Sequence, residues 1–114
     1  MDLGTTLLMI KALDGLAARA VVTAENIANA GTATYRPLKL TFEDALKDAA
    51  GKGGDAVQKA KPHIERAGAG TTDGELRLDL ELATASTTAL RYAALIEVLN
   101  RQMRIDALAI TGNS

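Results

Sequence analysis

At both ends of the chain, apolar and small residues recur at alternating spacings of three and four. In the first arm these are Leu3, Thr6, Ile10, Leu13, Ala17, Ala20, Ala24 and Ile27. That spacing keeps one stripe in line on an α-helix, so the pattern predicts a helix over Leu3 to Ala28 with a heptad seam. Leu7, Met9, Leu16 and Val21 widen the apolar surface on other sides. Gly4 and Gly15 interrupt it, each costing about 1 kcal/mol of helix propensity relative to alanine. The second arm runs from about Leu82 to Ile110. Leu82, Ala89, Ile96, Met103 and Ile110 occupy one heptad position, and Ala85, Tyr92, Leu99 and Asp106 the other. Leu90, Leu95, Val98, Ile105 and Leu108 lie off that seam, and Asp106 within it reads either as a flaw or as a register mark. The tail from Thr111 to Ser114 reads as a helix stop. The expected fold is mainly α: long N- and C-terminal helices packed as an antiparallel coiled-coil pair. Such a pair is only two helices thick, so each helix keeps apolar residues facing outward. Burying one Leu or Ile is worth about 1.5–3 kcal/mol, and exposed apolar surface on this scale marks an interaction site. The pattern therefore points to a subunit that completes its burial against other chains.

Between the arms the periodicity breaks. Asn29 and Gly31 tolerate left-handed backbone and are expected to close the first helix. Arg36 before Pro37 must be extended. Leu38, Leu40 and Phe42 alternate with Lys39 and Thr41, as in a half-buried strand. Thr41 with Asp44 resembles a capping box opening a short helix from about Phe42 to Ala50, with Gly51 as its stop. Gly51 to Gly74 holds six glycines and Pro62, and is expected to be a mobile loop with a short helix near Asp55 to Ala60. Asp73-Gly74 reads as a turn. From Glu75 to Leu82, Leu76, Leu78, Leu80 and Leu82 alternate with Arg77, Asp79 and Glu81. Two readings fit: a strand pairing with Leu38 to Phe42 in a two-stranded ribbon, or entry into the last helix from about Asp79. The domain organisation is accordingly a helical coiled-coil core of residues 1–30 plus 83–114. Residues 31–82 add the extended turn, the short helix, the flexible loop and the ribbon.

The chemistry-bearing residues are few. The 114 residues include one histidine and no cysteine, which removes disulfides, thiol catalysis and any ordinary zinc site around His63. Gly51-Lys52-Gly53 lacks the upstream glycine and the hydroxyl residue of a phosphate loop. Glu43 and Asp44 are adjacent and so do not share a helix face. No catalytic, cofactor-binding or metal-binding residues are assigned, and no cofactor is expected. A net charge of −1 supplies no field for nucleic acid or an anionic membrane. Apolar residues make up 47%, but much of that is alanine and only 3% of residues are aromatic, so a self-sufficient core would be weak. Lys11 and Asp14 interrupt the only leader-like run, and no run is long enough to span a bilayer.

The turn after the first helix also carries a resemblance. Asn26-Ile-Ala-Asn29, then Thr32, Tyr35 and Phe42, resembles the N-terminal signature of the flagellar axial proteins, the family of rod, hook and hook-associated subunits. Ala33 and Thr34 depart from it, standing where Pro and Gly are usual. Asp73-Gly74, Leu80-Glu-Leu82, Leu90-Arg91-Tyr92 and Leu99 resemble, in that order, the C-terminal region of the short proximal-rod members. The likeness covers about residues 13–44 and 73–110. It implies a non-enzymatic structural subunit of the flagellar basal body, in the periplasm-spanning rod. Such a subunit is exported through the flagellar type III apparatus without a cleaved signal peptide. Its implied partners are copies of itself, other rod subunits, the basal-body ring and the export apparatus, with no nucleic acid and no direct membrane insertion. It also implies packing roles. Ile10, Leu13, Ala17, Ala20, Ala24 and Ile27 would meet Ala89, Tyr92, Ile96, Leu99 and Met103 and adjacent subunits. Asn26 and Asn29 would hydrogen-bond at the turn, and Tyr35 would pin the extended segment onto a helix. Two alternatives stand beside it: another short rod subunit, and a stand-alone helical dimerisation or adaptor module forming a soluble oligomer of fixed size.

Overall fold

The computed structural model describes residues 1–68 and 77–111. Helix α1 spans Leu3–Ala28, as the heptad spacing requires. Asp2 caps it, its Oδ1 accepting from the Thr5 backbone N–H at 2.6 Å, and this bond holds the Asp2 carboxyl below its usual pKa. Strand β1 covers Leu38–Thr41, α2 Glu43–Lys52, α3 Gly54–Lys59, β2 His63–Arg66 and α4 Leu78–Thr111. The fold is mainly helical, with the two long helices packed against each other and one small antiparallel sheet.

Several local expectations need correction. The first helix does not close through left-handed backbone: Asn29 sits at φ −103°, and Gly53 is the only positive-φ residue among those described. Thr41 does not cap α2. Phe42 occupies the cap position without a side-chain hydrogen bond, and Glu43 with Asp44 supplies negative charge to the first turn instead. The helix also runs past Gly51 and ends at Gly53, whose φ of 115° suits glycine alone. It is this residue that separates α2 from α3. The partner of β1 is His63–Arg66, inside the stretch expected to be a loop, and not the Glu75 to Leu82 segment. The register sets Lys39 opposite Glu65 and Leu40 opposite Ile64, and the Ala67 N–H extends the ladder to Pro37 O at 2.9 Å. Opposite charges facing across strands favour this pairing. Residues 78–82 are the first turns of α4, so the alternating leucines there read as strand only because Leu recurs at every second position. Leu76 and the Asp73-Gly74 turn lie outside the described residues, as does the tail after Thr111.

The helices run antiparallel. The beginning of α4, with Leu80 and Glu81, shares a cleft with Pro37 and Leu38 beyond the C-terminal end of α1, whereas Leu95, further along α4, packs on the core that Leu16 and Val22 of α1 help to form. Between them lies a small core of Leu16, Val22, Leu40 and Phe42, edged by Ala12, Ala18, Leu38, Leu46 and Leu95. The molecule measures 65 × 28 × 14 Å.

Gly15 is buried in this core for a steric reason. A Cβ there would stand 2.5–2.7 Å from the ring carbons of Phe42. The glycine that weakens α1 as a helix is what lets the one phenylalanine lie flat on it. Gly15→Ala is therefore expected to destabilise the fold by about 1–3 kcal/mol although alanine is the better helix former. At Gly51 a Cβ meets nothing within 4 Å, so Gly51→Ala should gain up to about 1 kcal/mol. Urea unfolding followed by circular dichroism measures both.

Candidate functional site

Two features stand out: a hydrogen-bonded latch at the end of α1, and apolar helix faces that the chain leaves uncovered. The latch centres on Asn26, which is 1% exposed. Its Oδ1 accepts from Leu38 N at 2.9 Å and from the Tyr35 hydroxyl at 2.6 Å, and its Nδ2 donates to Leu38 O at 2.9 Å. The side-chain amide thus satisfies both backbone groups of Leu38, as a neighbouring strand would. Asn29 closes the helix below it, its Nδ2 donating to Glu25 O at 2.9 Å. Thr32 N donates to Asn29 O and Tyr35 N to Thr32 O, at 3.0 and 3.1 Å. The chain steps from Asn29 to Thr32 to Tyr35 in short turns. Ala33 and Thr34 form the second turn with no positive φ, so this turn does not require glycine. Burial raises the Tyr35 pKa, with Glu25 adding to the effect, and the Arg66 guanidinium lies 5.5 Å from its ring centre.

A second clamp joins α1 to α2. Arg19 donates to both carboxylate oxygens of Glu43, at 2.6 and 2.7 Å, and to Leu40 O at 3.3 Å. Its guanidinium also sits 4.8 Å from the Phe42 ring centre. The Arg19 hydrogen bonds pull the Glu43 pKa down to about 2 and raise that of Arg19. Neither this clamp nor the Gly15–Phe42 contact was read from the sequence. Gly15 and Arg19 carried no distinguishing signal in a helix that also holds Gly4, Lys11, Asp14 and Glu25.

The residues expected to pack divide into two sets. Leu13 is buried, and Ile27, Ile96 and Leu99 are half-buried. Ile10, Ala17, Ala20, Ala24, Ala89, Tyr92 and Met103 are exposed. The buried positions of α1 are Leu13, Gly15, Leu16, Val22, Thr23 and Asn26. The contact line within the chain is therefore turned by about one residue from the heptad seam. Strand β1 and helix α2 occupy part of the circumference of α1, and α4 takes the adjoining part. The remainder faces solvent, including Leu3 at 85% and Val21 at 67% exposure. On α4, Leu95 belongs to the core, while Leu90, Val98, Ile105 and Leu108 form an exposed stripe.

Among the described residues no group of three His, Cys, Asp or Glu side chains is placed to hold a metal ion. His63 is solvent-exposed and 3.7 Å from Glu65. No described helix is long and apolar enough to cross a membrane. The chain matches no protein-family model and no curated protein.

Removing the latch amide strands three buried or half-buried polar groups, so Asn26→Ala should cost about 2–4 kcal/mol, and Tyr35→Phe about 1 kcal/mol, in chemical unfolding. The Glu43 clamp sets an acid dependence. Its folded pKa of about 2 lies below the ordinary 4.5. The unfolded state therefore binds the proton first, and stability present above pH 4.5 is lost as pH falls towards 2. The Glu43 side chain is half exposed, and solvent screening holds the contribution to about 1 kcal/mol. Glu43→Gln should flatten the stability profile in that window and lower stability at neutral pH.

Proposed function

We propose that this chain is a structural subunit of the proximal rod of the bacterial flagellar basal body, similar to the rod protein FlgB. It polymerises through its terminal helices into the torque-transmitting axial tube and performs no catalysis. The observation that carries this reading is the uncovered apolar surface on both long helices of a body 14 Å thick. A chain that leaves residues such as Leu3, Val21, Leu90 and Leu108 in solvent gains their burial only against neighbours. The latch supports the same reading. Asn26, Asn29, Thr32 and Tyr35, the residues of the axial-protein resemblance, make one hydrogen-bonded unit that fixes the path of the chain leaving α1. Docking would supply the burial that offsets the ordering entropy of the helix ends.

The test is deletion of the gene in its host, with swimming assays and electron microscopy of isolated basal bodies. Rings lacking a rod are expected, restored by the intact gene but not by one lacking residues 83–114. Normal rods and normal swimming would overturn the proposal in favour of a stand-alone helical adaptor.

A further inference from the structure

The uncovered stripe of α1 comprises Leu3, Ile10, Ala17, Val21 and Ala24, all exposed. That of α4 comprises Leu90, Ala94, Val98, Ile105 and Leu108, also exposed. Asp14 and Glu25 stand beside the first; Arg91 borders the second and Arg101 lies within it, between Val98 and Ile105, all four exposed. Asp14, Glu25 and Arg91 make no ion pair in the chain among the described residues, and Arg101 reaches only Glu97, at 3.9 Å. The two acids are separated by about 16 Å along α1 and the two arginines by about 15 Å along α4, at the helical rise of 1.5 Å per residue.

We infer that the exposed stripe of α4 in one copy packs antiparallel on the exposed stripe of α1 in a second copy, with Arg101 on Asp14 and Arg91 beside Glu25. This rests on the assembly reading above and specifies its contact. In that register Val98 faces Ala17, Ala94 faces Val21 and Ile105 faces Ile10. Large residues meet small ones at two of the three levels, which permits close helix approach, and the charges are opposed at both ends. The contact joins different faces of the two chains. It is heterologous and leaves one stripe free on each terminal copy, so it propagates as an open array and does not stop at a dimer.

The chain contains no cysteine, so a pair can report the contact alone. Full-length protein carrying Ala17→Cys and Val98→Cys, concentrated and oxidised, should give a ladder of disulfide-linked dimers, trimers and longer species. Dimers formed as readily by either single variant would mean that like faces pack on like and would overturn the inference. So would an intrachain disulfide, or no cross-link in a protein whose circular dichroism is unchanged. In the same background, Asp14→Arg alone and Arg101→Asp alone should each cut cross-linking about fivefold. The two together should restore it, and failure to restore would overturn the register. A ladder from a protein whose deletion leaves rods intact would overturn the rod reading and leave this contact standing. Loss of rods without a ladder would do the reverse.

Discussion

The side-chain amide of Asn26 holds the chain where two kinds of structure meet. A helix cannot offer its backbone to a strand, because its own N–H and C=O groups are already paired. Asn26 supplies the missing partner from a side chain. One carboxamide accepts and donates across Leu38, and Tyr35 closes on the same oxygen. The strand is thereby seated against α1, Leu40 and Phe42 are delivered to the core, and the ring of Phe42 settles on Gly15. Arg19 then links the next element through Glu43. Each contact presupposes the one before it, and all of them depend on the path that the latch sets.

The long helices were legible because periodicity over many turns is a strong signal. The limits of α1 follow from the spacing alone, and the packing of its partner helix against it follows from the apolar repeat. Asn26 and Asn29 were expected to hydrogen-bond at the turn and Tyr35 to meet a helix, each separately; that the Tyr35 hydroxyl ends on the Asn26 oxygen itself was not read from the sequence. What periodicity could not deliver was which side of α1 each element would take. Ala17 and Ala24 fit the seam as well as Leu13 does, yet they remain in solvent because β1 and α2 compete with α4 for the circumference. Of the two readings left open for the segment ending at Leu82, entry into the last helix is the one observed, and the true partner of β1 was missed for a related reason. Leu76 to Leu82 alternates cleanly in sequence, whereas His63–Arg66 has a single apolar residue, Ile64, and no such signature. The register sets Lys39 opposite Glu65, a complementarity that hydropathy does not show.

The same competition explains the proportions of the molecule. The sheet, α2 and α3 shelter one flank of α1 and add little to α4, which is exposed at every position from Met103 onward. Large residues at that end, among them Leu108 and Ile110, are left mostly in solvent. The apolar content of this protein is thus divided between a small internal core and a longer external surface, with alanine allowing helices to approach on either.

A body 65 Å long and 14 Å thick also has a mechanical character. Resistance to bending rises steeply with thickness, so a slab one or two helices deep flexes readily across its thin direction. Along the helix axes it behaves differently, because stretching or compressing it strains the continuous hydrogen-bond ladders of α1 and α4. Alone, such a piece is soft to bending and stiff to axial load. Stacked on others side by side, it joins a thicker wall whose rigidity far exceeds the sum of the separate slabs.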